Sequence, residues 1–442
     1  MSTATTTRRI KLTGISAPAR GVVLAELLAN ASAPVLLVVA PETKVAEQLV
    51  EDVAFFAHAL GAVAAPEVLL LPESMPESRD MREAFTASAD RLTVLSRLRA
   101  TRRTTAAAVN PKVGAIVVVT TPAALLQPVP ALDDFAAHEF TLTRGQTHPF
   151  QGLLETLREL DYDSEAVCEA PGSYAIRGGI IDVYPTTATE PYRLDFFGDE
   201  LEEIRAFDPV TQRSGASVDS ITLSASPRLH LDPAKTGLAD YLSAATRLVL
   251  VEPALLDEEL SQLAREGAAR SGAGGAELGA DRAIHATLAA ILQRVATIVA
   301  VQDIDQSSAI FNEDAETAEV TWDTESLQHH RRYPGDELVA QERLHAEAES
   351  RLDFLRRVAA WQREGFAVAF VMSKEGEEQR ATEILAEEPG LGKLKPVFLR
   401  GTLNEGFRIT FGRENETRSM GVPPMDRTPH GLDIAGTGAL EP

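Results

Sequence analysis

Six short stretches of this chain are apolar with little or no interruption: residues 35–40 (VLLVVA), 68–71 (VLLL), 115–120 (AIVVVT), 247–252 (RLVLVE), 298–301 (IVAV) and 366–372 (FAVAFVM). A strand that alternates apolar and polar residues has one wet face, whereas a strand apolar throughout must be covered on both. Helical spacing over residues 22–30, 44–60 and 85–99 accompanies the first three runs. Strands that alternate with helices imply a parallel sheet flanked by helices. The predicted fold class is therefore α/β.

From about residue 140 the period changes to short alternating strands. Turn pairs separate them at Pro171-Gly172, Gly178-Gly179 and Gly198-Asp199. This predicts a small β-rich α+β domain over residues 135–215, inserted into the αβ domain. That αβ domain is predicted to consist of residues 1–134 and 216–335, because the strands after 216 are too few for a sheet of their own. The run GAARSGAGGAELG, within 266–279, reads as a flexible loop. Residues 336–411 read as a linker helix (337–361) and a small αβ domain with a strand at 366–372 and a helix at 375–388. Residues 412–442 lack an apolar period and are expected to be disordered.

With 442 residues the chain can bury more than one core. Its 42 Lys+Arg against 65 Asp+Glu give a net charge of −23. Most of the surface should therefore repel a phosphate backbone, although a local basic patch remains compatible with that total. Cys168 is the only cysteine, so no intramolecular disulfide can form, and it reads as a small core residue in a reducing compartment. No signal-peptide core and no apolar run of about 18 residues occurs, which predicts a cytoplasmic, non-membrane protein.

Helix, strand, helix is the order of a nucleotide-binding core, and the turn before the first helix reads GISAPARG over residues 14–21. A phosphate loop needs G-x-x-x-x-G-K-[ST], with backbone N–H groups, a lysine and a hydroxyl on the metal. Here Pro18 removes an N–H and no Gly-Lys-Ser/Thr follows. Gly392-Lys393 is followed by Leu394 and Lys395, so the hydroxyl is missing there as well. No catalytic residue, cofactor or ATP site is expected. The carboxylates Asp195, Asp199 and Glu200 and the pair His329-His330 read as turn, edge and surface groups rather than metal ligands.

The segment from 172 to 214 carries the chain's most distinctive pattern. By alternation, Tyr174, Ile176, Leu194, Phe196 and Ile204 share one face and form a core. Arg177, Arg193, Asp195, Phe197, Glu203, Arg205 and Phe207 share the other. Cross-strand ion pairs on a wet surface would explain the charges, but exposed phenylalanine beside arginine matches the composition of protein interfaces. The acidic residues of the same hairpin disfavour nucleic acid. Three readings therefore stand: a protein-binding face, a solvated structural surface with its arginines locked in internal ion pairs, and an ATP-dependent enzyme.

PGSYAIRGGIIDVYP and PYRLDFFGDELEEIRAFDPVTQRS closely resemble the UvrB-homology region of the bacterial transcription-repair coupling factors (Mfd). The stretch LLLPESMPESRD with RLTVLSRL resembles that family's segment before its β-rich domain. WQREGFAVAFVMSKEGEEQRATEIL and LRGTLNEGFRI resemble its small third domain. UvrB is similar but carries an intact phosphate loop. The resemblance implies a degenerate UvrB-like core without a P-loop, a β-rich domain that binds UvrA through residues matching Arg177, Arg193 and Phe197, and a role in nucleotide excision repair. Arg205 joins them as a further member of the same face. The family's polymerase-interaction, motor and autoinhibitory domains, which engage RNA polymerase, DNA and ATP, are expected after residue 411. The tail 412–442 reads instead as non-native sequence of a truncated or frame-shifted product. A monomeric adaptor is the resulting expectation, with a UvrB-like ATP-dependent enzyme as the alternative.

Overall fold

The computed structural model describes residues 7–29, 34–60, 66–74, 81–103, 115–225, 237–271, 276–313, 316–330 and 340–410. β1 (Arg8–Thr13), α1 (Arg20–Ala29), β2 (Val35–Val39), α2 (Thr43–Ala59), β3 (Glu67–Leu71), α3 (Met81–Arg103) and β4 (Ile116–Thr120) alternate. Two short helices follow, α4 (Pro122–Leu126) and α5 (Leu132–Ala137). The β-rich unit contains β5 (Glu139–Thr143), α6 (Phe150–Glu159), β6 (Asp163–Ser164), β7 (Ser173–Arg177), β8 (Ile180–Tyr184), β9 (Tyr192–Phe197), β10 (Glu200–Phe207), β11 (Ser214–Ser217) and β12 (Ser220–Ser224). The chain then forms β13 (Arg247–Val251), α7 (Pro253–Ser271), α8 (Ala276–Arg294), β14 (Thr297–Val301) and β15 (Ala318–Thr321). It ends in β16 (Asp323–Ser326), α9 (Ala340–Arg363), β17 (Ala369–Met372), α10 (Glu375–Glu387), β18 (Val397–Arg400) and β19 (Phe407–Thr410).

The architecture is mixed α/β. A seven-stranded sheet has the order β15-β1-β14-β13-β2-β4-β3, with every pairing parallel. Alternate residues of the apolar runs enter two separate cores: Val35, Leu37 and Val39 face one side with Ile298 and Leu248, while Leu36 and Val38 face the other with Val249 and Val299. This is why these strands lack a polar alternation. The strands after residue 240 complete the sheet begun by β1 to β4, and the β-rich unit is an excursion between β4 and β13.

That excursion is a six-stranded sheet, β11-β10-β9-β8-β7-β6, covered on one face by α6 through Leu153, Leu154 and Leu157. Its attachment is polar and aromatic. Glu139 accepts from the Ser96 hydroxyl at 2.6 Å and pairs with Arg99 of α3, whose guanidinium lies 5.9 Å from the Phe135 ring. Within the unit, Tyr162 donates to the Ser224 carbonyl of β12 at 3.0 Å, and burial pushes its hydroxyl up to about 12.

Several expectations need correction. The glycine- and alanine-rich run expected as a loop is helical at both ends, in α7 up to Ser271 and in α8 from Ala276, while its centre, 272–275, lies outside the described residues; at the ends alanine's propensity outweighs the cost of about 1 kcal/mol per interior glycine. β1 escaped the reading of apolar runs because Arg8, Arg9 and Lys11 interrupt it. Lys11 is nonetheless buried, its ammonium held by Asp305 at 2.7 Å, Glu313 at 3.0 Å and Glu319 at 3.3 Å. The strand expected from residue 366 begins at Ala369. The expected disorder of residues 412–442 lies outside the described residues. Among the described residues no helix is long and apolar enough to cross a membrane.

α1 and α2 approach so closely that a methyl group at Gly21 would meet the Asp52 Cβ at 2.5 Å. Asp52 is buried there with Oδ1 unpartnered, and desolvation, aided by Glu51, raises its carboxyl from 3.8 to about 6. The folded state thus prefers the protonated acid. The contribution of this group to stability is full below pH 3.8 and is lost as pH rises through about 6. Asp52→Asn should raise the urea midpoint at neutral pH by the equivalent of about 1–3 kcal/mol. The difference from wild type should vanish towards pH 3.8.

Candidate partner-docking face

Two hairpins form one end of the β-rich sheet. β7 and β8 turn through Gly178-Gly179, and β9 and β10 turn through Gly198-Asp199. Gly198 has φ +64, the left-handed conformation that a two-residue hairpin turn needs and that glycine adopts without strain. The second tip is braced: the Asp199 carbonyl accepts from His148 N at 2.7 Å, and its carboxylate caps α6 by accepting from Phe150 N at 2.9 Å. The tips touch, with Phe196 N donating to Gly179 O at 2.9 Å.

Register decides which side chains share a face. One row across the sheet runs Ala175, Asp182, Arg193, Arg205 and Ser217, and the next, nearer the tips, runs Arg177, Ile180, Asp195 and Glu203. Phe197 stands beyond Asp195 on the same side. The opposite face holds Tyr174, Ile181, Leu194 and Ile204 against α6. The arginine and aromatic stripe therefore lies on one face, away from the principal core.

Its members differ in state. Phe197 is 75% exposed, and Arg177 is exposed with no side-chain partner among the described residues. Arg205 pairs with Glu203 and lies 3.5 Å from Asp195; this hydrogen bond holds the Glu203 carboxyl below its usual range. Arg193 is bound to its own chain. Its Nε and Nη2 donate to the two oxygens of Asp182 at 2.7 and 2.9 Å, and Nη1 lies 3.2 Å from the Ser214 hydroxyl. The guanidinium also stacks 4.9 Å from the Phe207 ring centroid. The paired carboxylate pushes Arg193 still further from titration.

Phe207, expected outward, is buried with Cys168 and Ala175, because the chain before β7 folds over that end of the face. Burial pushes the Cys168 thiol up to about 11. Ile176, expected in the core, is 42% exposed, since it lies at the hairpin end of the sheet. Asp182 was missed by the sequence reading. A lone carboxylate in the apolar run IIDVY was the available signal, since a buried carboxylate must find a partner. His329 is exposed as expected, but His330 is half-buried: its ring packs 5.0 Å from Trp361, with Nε2 2.9 Å from Glu325.

A β-rich unit inserted into a parallel αβ core, with a mixed charged and aromatic face, is the class of protein that fold and face define. Residues 140–228 match the family described as UvrB interaction domain. A transcription-repair-coupling factor of Myxococcus xanthus is 32% identical over 218 residues, 49% of this chain and 17% of that protein. The Bacillus subtilis factor is 28% identical over 228 residues, 50% of this chain and 17% of its own length. The UvrABC system protein B of Thermus thermophilus is 36% identical over 78 residues, 18% of this chain and 12% of that protein. The chain is homologous to the N-terminal region of transcription-repair-coupling factors, and the matched segments span less than a fifth of those relatives.

The two phenylalanine and leucine environments of β9 predict opposite responses. Phe197→Ala should leave the thermal midpoint unchanged. Leu194→Ala, at a fully buried position, should cost about 2–5 kcal/mol in a denaturant titration.

Proposed function

We propose that this chain is a non-catalytic adaptor, the N-terminal module of a transcription-repair coupling factor that recruits UvrA to stalled RNA polymerase in nucleotide excision repair. UvrA docks at the hairpin end of the face, on Arg177 and Phe197, with Arg193 and Arg205 behind them. The observation that carries this reading is the Phe197 ring, 75% exposed on the same face and at the same hairpin end as an exposed Arg177, within the segment that matches the UvrB interaction domain. A planar guanidinium can take a partner carboxylate bidentately while the ring fills an apolar notch. RNA polymerase and DNA are engaged, in this reading, by other parts of the longer relatives.

The β1–α1 loop supports the non-catalytic half of the reading. Its amides are spent on the chain itself: Gly14 N donates to Asp303 O at 2.9 Å, Ile15 N to Gln302 O at 3.1 Å, and Ser16 N to the Thr324 hydroxyl at 2.6 Å. Gly14, at φ +71, sits so close to β16 that a Cβ would fall 2.0 Å from the Trp322 carbonyl oxygen. Where a phosphate loop carries Gly-Lys-Ser/Thr, this chain has Ala19, Arg20 and Gly21. Arg20 is paired with Glu252 at the end of β13, and a side chain at Gly21 would strike Asp52. The Gly14, Ile15 and Ser16 amides and the Arg20 cation are thus already engaged.

Pull-down with purified UvrA should retain the wild-type chain and lose Arg177→Ala/Phe197→Ala, and undiminished capture of that double variant would remove the docking face. Calorimetric titration with millimolar ATP and magnesium should give no binding heat. A saturable heat would favour the ATP-dependent alternative.

A further inference from the structure

The last αβ part of the chain meets the core at a cluster of charged and aromatic side chains that the docking reading does not use. His330 closes the short 3₁₀ turn Leu327–His330 that follows β16. Its ring packs at 70° on Trp361 of α9, with centroids 5.0 Å apart. Its Nδ1 lies 2.6 Å from Nη1 of Arg357, one turn before Trp361 on the same helix, and its Nε2 lies 2.9 Å from Glu325 Oε1 on β16. The other Glu325 oxygen accepts from Arg408 Nη2 of β19 at 2.6 Å. The Arg408 guanidinium in turn lies 5.2 Å from the Trp361 ring and 5.4 Å from the Phe366 ring. Three elements distant in sequence, β16 with its turn, α9 and β19, thus meet on one imidazole and one carboxylate.

A guanidinium has donors only. The contact with Arg357 therefore makes Nδ1 the acceptor and assigns the proton of the neutral ring to Nε2, towards Glu325. A second proton can enter only at Nδ1. It removes the lone pair that Arg357 uses and turns the ring into a cation facing two others, Arg357 from α9 and Arg408 from β19. Glu325 stays beside Nε2 in both states and is shared with Arg408. The neighbouring charges are turned elsewhere: Glu405 is bonded to the Ser326 hydroxyl, Asp353 of α9 pairs with Arg356, and His329 is exposed.

We propose that His330 is a pH-sensitive latch between the core and the last αβ part of the chain. When neutral it ties α9 to the turn after β16; when protonated it releases Arg357 and stays on Glu325. Imidazole is the side chain that ordinarily changes charge between pH 5 and 8. The unit does not detach on acidification, because β19 still pairs with β16 and the Phe407 ring still lies 5.7 Å from Phe56. What loosens is the end of α9 that carries Arg357 and Trp361. The latch is separate from the hairpin face and stands whether or not UvrA docks there.

Trp361 reports on the latch, since the chain has two tryptophans and the other can be replaced. In the full chain carrying Trp322→Phe, the acrylamide quenching constant of Trp361 should rise about twofold or more between pH 8 and pH 5, as one hydrogen bond of the closed state is lost. His330→Gln mimics the neutral ring, its amide oxygen accepting from Arg357 and its N–H donating to Glu325. In that background quenching should stay at its pH 8 level throughout. His330→Lys, charged at every pH in this range, should show the acid level of quenching already at pH 8. The latch is overturned by a flat profile in Trp322→Phe alone, by an equal rise in His330→Gln, or by a closed level in His330→Lys at pH 8. Should Trp322→Phe fail to fold, the unsubstituted chain and His330→Gln, both keeping Trp322, give the same comparison by difference. A difference of zero at pH 5 then overturns it.

Discussion

A parallel sheet that is apolar on both faces has to be covered on both, and the rest of this molecule is arranged around that requirement. Leu36, Leu37 and Val38 are buried in succession and feed opposite cores. At about 1.5–3 kcal/mol for each fully buried aliphatic side chain, neither layer of helices is dispensable. Additions to such a core can only enter at its ends or edges. The β-rich unit leaves the sheet after β4 and the chain returns to it at β13, next to β2. The inserted sheet brings its own helix, α6, to cover one face, and so leaves the other available.

The available face is neither wholly wet nor wholly sticky. Its lower end is sealed by Phe207, Cys168 and Ala175, its middle is held by the Asp182–Arg193 and Arg205–Glu203 pairs, and its tip exposes Phe197 and Arg177. Exposed ion pairs contribute little to stability, about 0–1 kcal/mol each, but the buried Asp182 carboxylate cannot be left alone without a large desolvation cost. The arginine stripe is thus divided between internal structure and outward presentation. Arg193 and Arg205 are paired within the chain, whereas Arg177 is exposed.

The C-terminal end of the parallel sheet follows the same logic of satisfied groups. In a nucleotide-binding core the first loop leaves amides for phosphate; here Asp303, Gln302 and Thr324 consume them, and β16 pairs with β19 above the loop. Phe407 and Leu403 then pack on α1 and α2 beside Phe56. The loop thus forms part of an internal joint between the core and the last αβ part of the chain.

The sequence by itself determined the buried strands, the helices between them, the two glycine-tipped hairpins and the faces of β9, because burial periodicity and turn chemistry are local properties. The turn 14–21 also reads without Gly-Lys-Ser/Thr. β1 was illegible because its lysine is neutralised by Asp305, Glu313 and Glu319, residues about three hundred positions away. Only the tertiary structure decided that Phe207 faces inward and Ile176 outward, since alternation assigns a face but not what covers it. The fate of each arginine was decided there as well. Whether a guanidinium reaches a partner or its own chain depends on which carboxylate the neighbouring strand brings within about 3 Å, and the register between β8 and β9 brought Asp182 to Arg193.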